Sequence, residues 1–342
     1  FENRNGQVVQ VINELVTIEL EKLTKDNPTE FIRPFNLEKA PLLRVGYIGN
    51  TVMIDMHHII ADGSSVAIFM KELNELYMGR EIPETVQYGE FAVTNTYTEE
   101  DEKYWLKEYE EVPVLELVTD YKKAEVQSFK GTNKYTFIDN KLNEKILSKC
   151  KTLNITPYAY YMACYNILLS KYSGNEDICV GTPTSGRNSK FLNTMGMFVN
   201  TIALRNKPEG KKTFKEFVKE VKENSIEAIS HQRYPQQELI KKTNSKKTLY
   251  DVMFAYQSEE MTEITFGDKR AEVKPISVNT AKCDMSFYVL PRETETVLMT
   301  EYCTDLYKEE TINKFIEAYN SILTQALNQD VLIKDIEVLT AD

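Results

Sequence analysis

Met56-His57-His58-Ile59-Ile60-Ala61-Asp62-Gly63-Ser64 joins two stretches of different hydrophobic period. Ahead of it, Thr51-Val52-Met53-Ile54-Asp55-Met56 alternates as a strand with one buried face does. Behind it, Val66, Phe69, Met70, Leu73, Leu76 and Tyr77 recur every three or four residues, the spacing of one apolar helical face. Two histidines therefore sit where a strand ends and a helix begins. Side chains at such a junction can face a cleft while rigid elements on either side fix their positions, as acid/base chemistry requires. Two plainer readings stand beside that one. In the first, the pair is a packed, hydrogen-bonded structural feature, since perturbed or buried groups are often only structural. Alternatively His57, His58 and Asp62 are ligands of a metal, although the only other histidine is His231 and no metal-binding spacing is completed.

Composition sets the outer limits. With 342 residues and 42% hydrophobic content the chain can bury a large core, enough for two domains or one two-lobed unit. A net charge of -11 disfavours nucleic acid and anionic membrane as partners. Cys150, Cys164, Cys179, Cys283 and Cys303 are odd in number, scattered and free of any CxxC spacing, which fits a reducing compartment better than a disulfide scaffold. No apolar run approaches the roughly 18 residues of a membrane span, and the first residues lack a signal-peptide pattern. A soluble, cytoplasmic protein is the expectation. No Gly-rich phosphate loop, Walker lysine or dinucleotide fingerprint is present.

Along the chain, Gly49-Asn50 offers a two-residue hairpin turn between Leu43–Ile48 and Thr51–Met56. The irregular patterning of 112–131 suggests a boundary. Thr156 as N-cap, Pro157 at the first helical position and Gly174 as stop bracket a helix apolar enough to be mostly buried. Thr213-Phe214-Lys215-Glu216 is a capping box opening another helix, and Ile312, Phe315, Ile316, Tyr319, Ile322, Leu323 and Leu327 mark a last amphipathic one. His231, before Tyr234-Pro235, reads most simply as structural.

The pattern HHxxxDG, here His57 to Gly63, resembles the signature of the condensation domains of nonribosomal peptide synthetases. Further stretches resemble that family's segments in the same order. Arg33-Pro34-Phe35-Asn36-Leu37 through Arg44 is similar to PFDLxxxPLLR, and Tyr104-Trp105 to YWxxxL. Gly181-Thr182-Pro183 through Thr201 is similar to GTPxxGRxxxxxxxxxGxFVNT, and His231 to Pro235 to HQxYP. Thr248 to Phe254 resembles PLFDVMF with Thr248 in place of Pro, and Thr280 to Ser286 resembles TAKFDLxL with Cys283 in place of Phe. Ile333 to Thr340 resembles the segment before the linker to an adenylation domain. Phe1 to Ile12 reads like the second half of a hairpin, following an RHExLRT motif, an opening strand and a helix that this chain lacks. By the resemblance the chain is N-terminally truncated.

The resemblance implies an α+β fold of two chloramphenicol acetyltransferase-like lobes forming a V-shaped pseudodimer. The N-terminal lobe, 1–112, carries the histidine motif and the C-terminal lobe is 113–342. The implied reaction is amide-bond formation between donor and acceptor thioesters, aminoacyl or peptidyl, held on carrier proteins. His58 is the implied catalytic residue. His57, Asp62, Gly63 and Arg187 are implied to shape the active site, with Asp62 a structural anion pairing with Arg187 and Gly63 allowing a backbone N–H close to the oxyanion. No metal and no cofactor of its own is implied, because substrates arrive on the phosphopantetheine arms of carrier proteins. The implied partners are the upstream donor and downstream acceptor carrier proteins and an adjacent adenylation domain, the chain being monomeric within a larger multidomain protein.

Alternatives within the fold are epimerisation, heterocyclisation or ester formation, and outside catalysis a recruitment platform. Heterocyclisation is disfavoured because its pattern replaces the histidines by aspartates. Epimerisation is disfavoured because a Trp usually occupies the position that Val66 holds after Ser65. Platforms often lose the active histidine, which is present here. The form of the motif resembles domains joining two L-residues.

Overall fold

The computed structural model describes residues 1–342 except 25–27, 125, 244–247, 258–262, 275, 277–278, 293 and 339–342. Helix and sheet are mixed, and packing groups the chain into two units. The first holds Phe1–Thr94, Arg187–Val199 and Glu260–Val278, the last carrying a hairpin of strands Glu263–Phe266 and Lys269–Glu272; the second holds Asn95–Gly186, Asn200–Glu259 and Asn279–Asp342.

In the first unit, strand Leu43–Ile48 lies between Leu20–Lys22, parallel to it, and Thr51–Met56, antiparallel to it. The Gly49-Asn50 turn sets Ile48 opposite Thr51, with Gly49 in the left-handed region at φ 53°. Thr51–Met56 then runs into a 3-10 turn, His58–Ile60, and the helix Gly63–Tyr77. This is the strand-to-helix junction that the change of period predicts. The start of the chain differs from its reading as half a hairpin. Glu2–Arg4 and Gln7–Val9 pair with each other about Asn5-Gly6, both at positive φ, so the hairpin is whole. Asn-Gly is itself the two-residue turn signal that points to this hairpin.

The second unit is built on a six-stranded mixed sheet in the order Gly131–Ile138, Thr296–Cys303, Met285–Pro291, Val252–Tyr256, Ile178–Thr184, Asn200–Asn206. Val252–Tyr256 is parallel to both its neighbours, and the remaining pairs are antiparallel. The helix Pro157–Ser173 is buried from Ala159 to Ser170, which explains why it is apolar all round. Thr156 caps it by accepting from the Ala159 N–H, and Gly174 ends it at φ 69°. Its Tyr165 packs, tilted, against Phe287 of the sheet, and its Tyr160 hydroxyl donates to the Leu323 carbonyl of helix Glu309–Gln325. The capping box at Thr213 and Glu216 opens helix Phe214–Ser230.

His231 closes that helix and serves structure. Its Nδ1 lies 2.8 Å from Asp101 Oδ1, its ring stacks on Tyr104, and its carbonyl accepts from Trp105 Nε1. The Tyr104-Trp105 stretch therefore acts as packing for the second unit.

By packing, the first unit ends at Thr94, ahead of the 112/113 division read from the sequence. It also takes back Arg187–Val199, which the sequence reading assigns to the C-terminal lobe. An irregular stretch such as 112–131 marks where regular elements stop, whereas membership of a unit is decided by side chains far away in sequence. The last part of the Ile333–Thr340 match falls outside the described residues.

Candidate active site at the strand-to-helix junction

His57 and His58 are adjacent in sequence and are held in opposite ways. His57 Nδ1 accepts the Ile59 backbone N–H at 3.0 Å, capping the 3-10 turn. A nitrogen that accepts from an N–H carries no proton, so neutral His57 bears its hydrogen on Nε2. Its backbone N–H donates to the Leu42 carbonyl, and its ring packs T-shaped against Phe35. Phe35 in turn lies under the Arg44 guanidinium, which is paired with Asp55 at 2.6 Å. His57 is thus fixed from three directions.

His58 Nδ1 lies 2.7 Å from the Ala61 carbonyl oxygen. A carbonyl only accepts, so Nδ1 carries the proton and Nε2 keeps its lone pair. The ring is exposed, and among the described residues nothing is hydrogen-bonded to Nε2. Proton uptake at Nε2 breaks no contact of His58, while protonation of His57 at Nδ1 would break its bond to Ile59.

Asp62, next along, is 2% exposed and its carboxylate is fully occupied. Oδ1 accepts from Ser65 N (2.8 Å), Ser65 Oγ (2.8 Å) and Arg187 Nη2 (2.7 Å), while Oδ2 accepts from Phe198 N (3.1 Å). The Ser65 N–H bond makes Asp62 the N-cap of helix Gly63–Tyr77, where a carboxylate is also favoured by the helix dipole. Burial by itself raises the Asp62 pKa. The Arg187 guanidinium and the two Ser65 donors outweigh it, and the net shift is downward.

Arg187 is buried with it and stacks 4.0 Å above the Phe198 ring. Its Nη1 donates to the Phe191 and Thr194 carbonyls, and its Nη2 also donates to Ser65 Oγ. Around Phe198 gather Tyr88, Phe91 and Phe191. Tyr88 covers Gly196 so closely that a Cβ there would fall 2.1 Å from its ring, and its hydroxyl donates to the Met197 carbonyl. Burial raises the Tyr88 pKa and the Asp62 charge adds to it, keeping the phenol a donor. The glycine of the GxFVNT stretch is therefore a packing requirement.

Gly63 is exposed at the first position of its helix, outside the left-handed region, and a Cβ there would meet nothing within 4 Å. Its backbone does not demand glycine. The structure thus brings Asp62 and Arg187 into contact and sets His57, His58 and Gly63 beside them along the chain. Sequence reasoning passed over Ser65, Thr194, Gly196 and Phe198 as parts of this site.

Among the described residues no group of three or more His, Cys, Asp or Glu side chains is arranged to hold a metal ion. A cavity of about 410 Å³ in the first unit is walled in part by Phe35, Pro41 and Arg44, and neither histidine borders it. No helix among the described residues is long and apolar enough to cross a membrane.

The fold is shared with solved nonribosomal peptide synthetase condensation domains. A four-domain nonribosomal peptide synthetase, solved in its holo form with AMP and glycine, superposes on 96% of this chain and 28% of its own with a TM-score of 0.85 at 17% identity. The first condensation domain of the calcium-dependent antibiotic synthetase, in complex with a substrate analogue, covers 95% of this chain and 79% of its own with a TM-score of 0.71 at 18% identity.

The family model for the condensation domain matches residues 1–341, and the chain belongs to that family. It is 39% identical over 372 aligned positions to gramicidin S synthase 2 of Brevibacillus brevis, covering 100% of this chain and 8% of that protein. It is 36% identical over 365 positions to surfactin synthase subunit 2 of Bacillus subtilis (strain 168), covering 100% and 10%. The chain thus spans a tenth or less of the length of these curated relatives. Condensation domains of such synthetases catalyse amide-bond formation, an acyl transfer.

Removing the Asp62 carboxylate leaves Arg187 a buried, unpaired cation, so Asp62→Ala should cost about 3–5 kcal/mol of stability in urea unfolding at neutral pH. The folded-state pKa lies below the unfolded one, so this contribution is complete above the unfolded value of about 3.9 and is lost as pH falls through the folded value. The gap between wild type and Asp62→Ala should narrow below about pH 4. A gap that does not change with pH contradicts the ionised pair.

Proposed function

We propose that this chain joins a donor acyl thioester to the α-amino group of an acceptor thioester, each on the phosphopantetheine arm of a carrier protein, with His58 as the proton-handling residue. The observation that carries this reading is the hydrogen bond from His58 Nδ1–H to the Ala61 carbonyl. It leaves an exposed Nε2 lone pair on a ring of fixed orientation.

In the reaction the acceptor amine nitrogen attacks the donor thioester carbonyl. A new C–N bond forms, the C–S bond breaks, and the sulfur leaves as a thiolate. His58 Nε2 accepts a hydrogen bond from the amine, orients it and takes its surplus proton, which ends on the departing sulfur. His57 holds the turn that presents His58. Asp62 and Arg187 hold the junction. The thioester already carries the activation, so the step requires no cofactor of the domain's own. The free approach at Gly63 leaves its N–H, at the positive end of a helix, available to the developing oxyanion. The upstream and downstream carriers and an adenylation domain are the partners this reading requires, in keeping with relatives about ten times longer than the chain.

His58→Ala should lower the single-turnover rate by about 10²–10⁴-fold, read as product transfer between two loaded carriers by intact mass, with an unchanged melting temperature. An unchanged rate removes His58 from the mechanism.

Gly63→Ala separates backbone approach from folding. The substitution should leave stability unchanged or raise it by about 0.4–1 kcal/mol, since the added methyl meets open space and glycine's unfolded-state freedom is lost. It should nevertheless slow the transfer. Wild-type turnover in a stably folded Gly63→Ala chain rules out the Gly63 N–H as the oxyanion donor.

A further inference from the structure

We propose that Ser65 is a positioning residue for His58, acting through the Asp62 junction; the proposal rests on the reading of His58 as the proton-handling residue. Ser65 is fully buried. Its hydroxyl oxygen receives the Gly196 N–H at 2.9 Å and Arg187 Nη2 at 2.9 Å, which fills both lone pairs. Its single proton faces Asp62 Oδ1 and the Gly196 carbonyl, each 2.8 Å away. One side chain therefore joins the carboxylate, the guanidinium and both backbone groups of Gly196. No other atom of the site touches all three.

The consequence for His58 follows along the backbone. Ala61 supplies the carbonyl that keeps the His58 proton on Nδ1, and Asp62 is the next residue. The direction of that carbonyl is set by the peptide joining Ala61 to Asp62. That peptide is held on one side by the Ala61 N–H, bonded to the His58 carbonyl, and on the other by the anchored carboxylate. Without the Ser65 hydroxyl the buried Gly196 N–H loses its partner. An orphaned buried amide pulls its segment toward another acceptor. Phe198 N, two residues on, is the donor to Asp62 Oδ2, so a shift of 196–198 releases the second carboxylate oxygen as well. The carboxylate then turns, the Ala61 carbonyl turns with it, and His58 is free to move its proton to Nε2, the tautomer with no lone pair there.

The test uses the full chain labelled with ¹⁵N-histidine. With only three histidines, long-range proton–nitrogen spectra report each ring's tautomer separately. Ser65→Ala should shift His58 from Nδ1–H toward Nε2–H. With both loaded carrier proteins supplied in trans, it should lower kcat about 10–100-fold with KM for the carriers unchanged within about twofold. Thr194→Ala weakens the same segment by removing the hydroxyl that donates to Val86, without touching the Asp62 carboxylate. It should lower the melting temperature and leave the His58 tautomer alone. Should Ser65→Ala not fold, Ser65→Cys keeps the volume, weakens the hydrogen bonds and carries the same test. A folded Ser65 variant with the wild-type His58 tautomer overturns the proposal, as does an equal shift in Thr194→Ala. The tautomer judges Ser65 and the His58→Ala rate judges the catalytic reading, so the two fail separately.

Discussion

The geometry of the junction depends on one buried anion. Taking a carboxylate out of water costs several kcal/mol even after relaxation, and the cost is offset only when its lone pairs are met by well-placed donors. Asp62 has four such donors, drawn from the helix it caps, from Arg187 and from the Phe198 amide. The three residues that supply them, Ser65, Arg187 and Phe198, are far enough apart in the chain that the carboxylate ties the helix start to segment 187–199. The carboxylate therefore decides where helix Gly63–Tyr77 begins, where segment 187–199 lies in the first unit and which way the turn before it runs. A hydrophobic contact of similar strength would hold these pieces together without fixing their orientation.

Orientation matters to the proposed function, in which the exposed Nε2 of His58 handles the proton. Two neighbouring imidazoles are driven to opposite tautomers by two backbone groups of one short turn, the Ile59 N–H and the Ala61 carbonyl. Neither bond needs a carboxylate on the imidazole. The Asp62 carboxylate bonds to Ser65, Arg187 and Phe198 and not to the His58 ring, whose Nδ1–H goes to the carbonyl of Ala61, the residue before Asp62; Asp62 is an anchor of the junction and not the third member of a triad. The bond to Ala61 survives when Nε2 gains a proton, so the ring can cycle without rearranging.

Much of this was legible in the sequence. The strand before His57 and the helix after Gly63 follow from a change of hydrophobic period, and Thr156, Pro157, Gly174, Thr213 and Glu216 mark helix ends by local hydrogen-bonding chemistry. The family follows from motifs spread over nearly the whole chain. Long-range hydrogen bonds were not legible from pattern. Ser65 looks like an ordinary first-turn helix residue until Gly196, 131 positions away, is placed against it. Nor does any local signal show that Arg187–Val199 packs with the first unit, because its own residues spell a loop following a strand. The tautomers were equally hidden, since they depend on the direction of two peptide groups. The hairpin at the start is legible in Asn5-Gly6, a pair that tolerates the positive φ both residues adopt.

The most direct measurement is the tautomeric state of the wild-type histidines by long-range proton–nitrogen correlation, at a pH where the rings are neutral. The hydrogen bonds to Ile59 and Ala61 require His57 to carry its proton on Nε2 and His58 to carry its proton on Nδ1. A His58 ring protonated on Nε2 instead would have no lone pair to offer an amine, and would contradict the account at its centre.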